Sequence, residues 1–323
     1  MQKMMRSKMT AFGILAGLVG IIAGMGWALE TCCKDDGVYI KGMSLFVIIV
    51  TSLFSVYFII SAYIANEKAQ EISDGYILSH KITHQLRNSI TALQDLEFHT
   101  LRKISLAQSE EHLSDIIEND ELKRDDIFKK LGAKIADAVA CQVKNNFACN
   151  GFEETIRATI KGIIPEGSNQ LDWKVITTVV DRDTWAKENR EYQAHIIKDN
   201  TDFYGILTGD EKFFVENDLA GLADDKYKNS SLDWRKRYNA TMVVPIKNKP
   251  DGKENVVYYG FLTIDFLNSD KKLILSKSEE SPVLNILAHA ADAMAVWFVK
   301  NDNHEKTLEY QKGHKILEGR SDE

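Results

Sequence analysis

The segment Arg237–Phe266, RYNATMVVPIKNKPDGKENVVYYGFLTIDF, decides how the larger part of this chain folds. Met242–Ile246 and Val256–Phe266 are rich in β-branched and aromatic residues, which suit a pleated, half-buried surface. Between them lies Lys249-Pro250-Asp251-Gly252, in which proline presets the first turn dihedral and glycine supplies a positive φ, so the pair reads as a β-hairpin. Upstream, Trp173–Val180 is a further strand, bounded by the Pro165–Gln170 turn cluster and by Asp181-Arg182-Asp183. Downstream, Val283, Ile286, Leu287, Ala290, Ala291, Met294 and Trp297 recur at helical spacing behind Ser281-Pro282, a helix-start signal. Strands, a central hairpin and a closing helix make an α+β domain over 151–300, with 301–323 read as a polar tail.

From 66 to 150 the pattern is helical. Ile82, Leu86, Leu93 and Leu96 approximate an a/d seam, Leu101 and Ile104 extend it, and Ile127, Leu131, Ile135 and Val139 fall four apart. The expectation is a helical stalk with a turn in the acidic Ser109–Asp126 stretch, its seam suited to self-association.

Residues 1–65 carry two long apolar runs, Thr10–Leu29 and Ser44–Ala65, free of charged residues and each about the ~20 residues that span a bilayer as a helix. Lys3, Arg6 and Lys8 precede the first run, while Lys34 and Lys41 are offset by Glu30, Asp35 and Asp36 in the connecting loop, which places the N-terminus in the cytoplasm. A two-helix hairpin in a bacterial inner membrane returns the chain to the cytoplasm as well. Gly13, Gly17, Gly20 and Gly24 share one face of the first helix, a stripe that lets another helix approach closely. No charged residue inside either run offers a proton relay or voltage sensor, so an ion path would need an assembled ring of copies.

Composition narrows the function. With a formal net charge of −7 and a pI near 5.7, affinity for long duplex nucleic acid is not expected. The four cysteines form no disulfide framework and no metal-ligand spacing. There is no triphosphate-cradling GxxxxGK[ST] loop, no HExxH and no GxSxG, so no enzyme, catalytic residue, metal or cofactor is expected.

Two resemblances enter on particular residues. His84, Leu86, Arg87 and Asn88 resemble the phosphoacceptor helix of sensor histidine kinases, but Gln85 and Ser89 replace its acid and proline, and no ATP-binding boxes follow. Phe214-Val215-Glu216-Asn217-Asp218-Leu219, Tyr227-Lys228-Asn229, Trp234, Arg237–Ile246 and Tyr259-Gly260-Phe261-Leu262-Thr263-Ile264-Asp265 resemble the second half of GAF domains. There a strand ending in Pro-Ile pairs with one carrying Gly-x-Leu-x-x-Asp, and a helix follows.

The GAF resemblance implies a small-ligand pocket, notably for cyclic nucleotides, roofed by loops and helices between the middle strands. The corresponding region is about 204–239. It offers Lys226, Lys228, Arg235, Lys236 and Arg237 for phosphate and Phe213, Phe214, Tyr227, Trp234 and Tyr238 for stacking on a base. Two spans joined to a cytosolic nucleotide sensor resemble the membrane effectors of bacterial antiviral defence. The expected function is therefore a ligand-controlled effector, in which a nucleotide or short oligonucleotide signal controls an oligomeric pore. The alternatives are a membrane-anchored receptor and a degenerate sensor kinase, each passing ligand state to a separate partner.

Overall fold

The computed structural model of the chain describes residues 38–107, 109–147, 156–181, 193–219, 221–223, 226–230, 234–249, 255–267 and 281–321. The first apolar run with Gly13, Gly17, Gly20 and Gly24, two of the four cysteines, the adjacent Cys32 and Cys33, and the Pro250-Asp251-Gly252 turn lie outside the described residues. The chain divides into two units, Met1–Ser73 and Asp74–Glu323.

In the first unit the described residues belong to helix α1, Val38–Leu106, which contains the second apolar run. Along its Val56–Asn66 stretch Tyr57, Phe58, Ile60, Tyr63 and Ile64 are exposed.

The second unit is α+β. Helix α2 spans Glu110–Phe147 and helix α5 spans Pro282–Ser321. The strands are β1 (Ile156–Ile164), β2 (Lys174–Val180), β3 (His195–Ile196), β4 (Phe214–Glu216), β5 (Tyr238–Asn248) and β6 (Val257–Leu267), with short helices α3 (Thr201–Thr208) and α4 (Trp234–Arg237). They form one six-stranded antiparallel sheet in the order β3-β2-β1-β6-β5-β4. The two strands expected to form a hairpin are paired as β5 and β6, with Met242 opposite Ile264.

The turn expected inside Ser109–Asp126 is not there: that stretch is helical from Glu110, the preceding helix ends at Leu106, and Ser109 caps α2 by accepting from the His112 amide at 3.2 Å. Glu110 and Glu111 then occupy the first turn, where the helix dipole favours negative charge. Helix α5 opens at Pro282, whose missing N–H costs nothing at that position. It continues through the segment read as a polar tail.

One face of the sheet is covered by helices. Ile156, Ala158 and Ile160 of β1, Met242, Val244 and Ile246 of β5, and Leu262, Ile264 and Phe266 of β6 join Leu131, Ile135 and Val139 of α2 and Leu284, Leu287, Ala291 and Met294 of α5 in one buried cluster. Ile82 of α1 belongs to the same cluster, and Leu93 is only 2% exposed. Ile82 and Leu93, half of the seam expected to mediate self-association, are thus buried within the chain, where full burial of such side chains stabilises by about 1.5–3 kcal/mol each. Pro282–Leu317 of α5 is long and apolar enough to cross a membrane, yet half of its apolar window is buried against the sheet and helices.

Gly132 makes the helix-to-sheet approach possible: a Cβ there would stand 2.8 Å from a Val179 methyl. A second glycine, Gly260, is tighter still, because a Cβ would lie 2.1 Å from the Lys161 carbonyl oxygen across the β1–β6 ladder.

Candidate functional site

Strand alternation sends the other half of each strand to the opposite face, and there the chemistry changes. β1 presents Arg157, Thr159 and Lys161, β5 presents Thr241, and β6 presents Thr263 and Asp265. The β1–β2 register shifts between Ile160 and Lys161, so that Val179 faces the helices while Val175 and Thr177 face the other way. Polar side chains at the centre of a sheet face are costly to bury unless they are paired or functional.

Arg157, Lys161, Val175, Thr177, Thr241, Thr263 and Asp265 floor a cavity of about 300 Å³. Its roof runs from β3 through α3 to Ser230 and α4. Ile197, Phe203, Ile206, Leu219 and Tyr227 pack on Val175, Val243 and Phe261 in a second apolar cluster that holds the roof down beside the cavity. The roof is also stitched: Lys228 N donates to Thr201 Oγ1 at 2.8 Å, and Thr201 N donates to Lys228 O at 3.0 Å. Asn200 Nδ2 donates to Ile196 O at 2.7 Å, while its Oδ1 accepts from Ser230 N at 3.1 Å. Gly209, at φ 81°, ends α3 in the left-handed conformation that glycine adopts without a Cβ penalty.

On the floor, cross-strand register pairs Arg157 with Asp265 and Thr159 with Thr263. Thr159 and Thr263 share a hydroxyl hydrogen bond, Thr241 Oγ1 donates to Asp265 Oδ1 at 2.7 Å, and Arg157 Nη1 donates to Tyr238 Oη at 2.9 Å. Lys161 stands with Nζ 5.1 Å from the Phe203 ring centroid, a cation–π arrangement.

The roof contributes a second acid. Asp202, 5% exposed, accepts from the Phe203 amide at 3.0 Å, and the Tyr227 hydroxyl approaches its other oxygen at 3.5 Å. Burial pushes this carboxyl up to about 6, against the pull of Lys161 and the Phe203 amide. Burial, and then the Asp202 charge, pushes the Tyr227 phenol well up. At the mouth Ser230 Oγ lies 2.9 Å from His195 Nδ1, and the imidazole's pKa is lowered by burial and by Lys161. Among the described residues no carboxylate bonds the far nitrogen of His195, the role of the third member of a hydrolytic triad. Nor does any group of three His, Cys, Asp or Glu stand ready for a metal.

The sequence-expected binding residues divide. Tyr227, Arg237 and Tyr238 line the cavity. Lys226 and Lys228 are exposed, and the cavity lining does not include them. Trp234 packs edge-on against Tyr227 at 4.9 Å. Arg235 lies over Trp234 at 4.8 Å and donates from Nη2 to Leu222 O at 2.8 Å, so it ties down the roof.

Arg157, Lys161 and Asp202 escaped the sequence reading, and Asp265 entered it only as part of the GAF-like strand, not as a residue of the site. The signal for the first two was present in the alternation of Ile156-Arg157-Ala158-Thr159-Ile160-Lys161, a strand with one apolar and one polar face. His84 is exposed on α1, with Asn88 Nδ2 3.3 Å from its Nδ1.

No protein-family model matches this chain, and no curated protein matches it in sequence.

Proposed function

We propose that this chain is a ligand-controlled membrane effector, with a GAF-like sensor domain in the cytoplasm and a two-span hairpin in a bacterial inner membrane. The observation that carries the reading is the cavity itself. It lies between a polar sheet face and a roof built from the segments that join the middle strands, where GAF domains take their ligands. The pairing of β5 with β6 and the helix that follows support the same reading.

At about 300 Å³ the cavity is at the small end of ligand sites, which run from roughly 300 to 1,000 Å³. That size suits a metabolite or at most a mononucleotide-type signal, and a short oligonucleotide is too large for it. Arg157, Lys161 and Arg237 suit an anionic group on the ligand. The exposed aromatic and aliphatic side chains of Val56–Asn66 are those of a helix meant for lipid. Copies of the hairpin, packed through the Gly13–Gly24 stripe, would form the pore, as in the antiviral effectors whose layout this chain resembles.

The test is membrane permeability in bacteria expressing the full chain. Lys161→Ala and Arg237→Ala, made separately, should change uptake of a membrane-impermeant dye, upward if the ligand restrains the pore and downward if it opens it. Unchanged uptake in both, with normal protein levels, would transfer the chain to the second reading: a membrane-anchored receptor that hands ligand state to a partner. The exposed Tyr76, Ile77 and Phe98 of α1 favour that reading as a place for a partner to dock.

A further inference from the structure

We infer that the ligand of this cavity is a small zwitterion of the amino-acid type, its ammonium held by Asp202 and its acid group by Lys161. The inference rests on the reading of the cavity as a sensor's ligand site and names the chemistry of what enters it.

Asp202 carries the argument. It is buried in the roof, lines the cavity, and accepts one backbone hydrogen bond at 3.0 Å. The Tyr227 hydroxyl, at 3.5 Å, is too far from the second oxygen to serve a carboxylate, for which O–H···O⁻ bonds run about 2.5–2.7 Å. Among the described residues no lysine or arginine forms an ion pair with Asp202. A buried carboxylate in that condition has only a long hydroxyl contact for its second oxygen and no ion-pair partner, and an ammonium is the donor that both bonds that oxygen at closer range and cancels the charge.

Lys161 stands close enough to pull on the Asp202 proton and is itself cavity-lining. The roof acid and the floor base therefore present opposite charges to the same small space. A head group with ammonium and carboxylate a bond or two apart complements both at once. A phosphate without such a nitrogen would set its charge beside two carboxylates, Asp202 and Asp265, and leave Asp202 unanswered. The rings of Phe203 and Tyr227 give the rest of the molecule an aromatic wall.

The experiment uses the full chain in detergent, with binding read by calorimetry and by the shift in thermal unfolding. The probes are the common L-amino acids, the des-amino counterpart of each one that binds, and 3′,5′-cyclic AMP and GMP. At least one amino acid should bind, its des-amino counterpart should bind about tenfold more weakly or worse, and Asp202→Asn should lose a similar factor. The des-amino comparison uses the unaltered protein, so it decides the matter even if Asp202→Asn misfolds. Equal binding of an amino acid and its des-amino counterpart overturns the inference. So does binding of a cyclic nucleotide with no response to any amino acid, which leaves the sensor reading standing. If no probe binds, the zwitterion is overturned, and the sensor reading then stands or falls on the dye-uptake result alone.

Discussion

His304 Nε2 lies 2.9 Å from Asp120 Oδ2, joining α5 to α2 across 184 positions of sequence. Both residues are about 1% exposed. An ionised carboxylate only accepts, so the histidine donates from Nε2. Asp120 also accepts from Thr100 Oγ1 of α1 at 2.7 Å and from Arg124 Nε at 2.8 Å, and these partners together hold its carboxyl below the usual range despite burial. Arg124 reaches on to Asn301 and Glu305 of α5. One carboxylate thus sets the register of α1, α2 and α5.

Removing that carboxylate should be severe. Asp120→Ala leaves the Arg124 charge buried with fewer partners, and breaking a buried pair in this way costs about 3–5 kcal/mol. Trp297, 3% exposed and packed on Phe128 at 5.1 Å, reports on the same helices. The tryptophan fluorescence transition, to which Trp297 contributes, should move to markedly lower temperature. A transition at the unaltered temperature would show that the network contributes nothing to stability.

Asp202 should behave in the opposite sense. Its carboxyl titrates at about 6 in the folded chain against an ordinary value of 3.8, so folding disfavours the ionised form. Above pH 6 it is charged in both states and burial costs stability, roughly 3 kcal/mol at about 1.36 kcal/mol per unit. As pH falls from 6 toward 4 the folded state takes up the proton first, and the cost disappears. Asp202→Asn should therefore unfold later than the unaltered chain at pH 7.5, and the difference should close by pH 4. A gap that persists at pH 4 would point to a cause other than this charge.

Gly260→Ala should loosen the sheet. The added methyl would stand 2.1 Å from the Lys161 carbonyl oxygen, and backbone cannot yield as a flexible side chain does. A cost of about 3 kcal/mol, the upper end for overpacking, is expected. Amide exchange across β1 and β6 should quicken, and unchanged protection of Gly162 and its neighbours would contradict the expectation.

The two arginines beside Trp234 should separate. Arg237 lines the cavity, so Arg237→Ala should weaken ligand binding with little change in unfolding temperature. Arg235 bonds the Leu222 carbonyl, so Arg235→Ala should cost about 1 kcal/mol of stability and act on binding only through the roof. Equal losses of affinity from both, with stability intact, would place Arg235 in the site.

Much of the fold was legible in local pattern. The β5 and β6 strands, the Trp173–Val180 strand and the start of α5 at Pro282 each carry their signal within a dozen residues, because propensity, turn chemistry and alternation are local properties. Strand β1 went unread, although its own alternation is as clear. Its two polar positions meant little until Asp265 and Tyr238 were placed beside Arg157.

Residue pattern alone was enough for an α+β domain following two apolar runs, with helical seams at Ile82–Leu96 and Ile127–Val139. It also marked Tyr227, Arg237 and Tyr238 as residues of one region. Tertiary structure alone decided what those seams pack against and which charged residues face the cavity. A heptad looks the same whether its partner is another copy or the chain's own α2 and α5. A lone aspartate such as Asp202 or Asp120 has no chemistry to read until folding fixes how much water it loses and which donors, from residues as distant as His304, replace it.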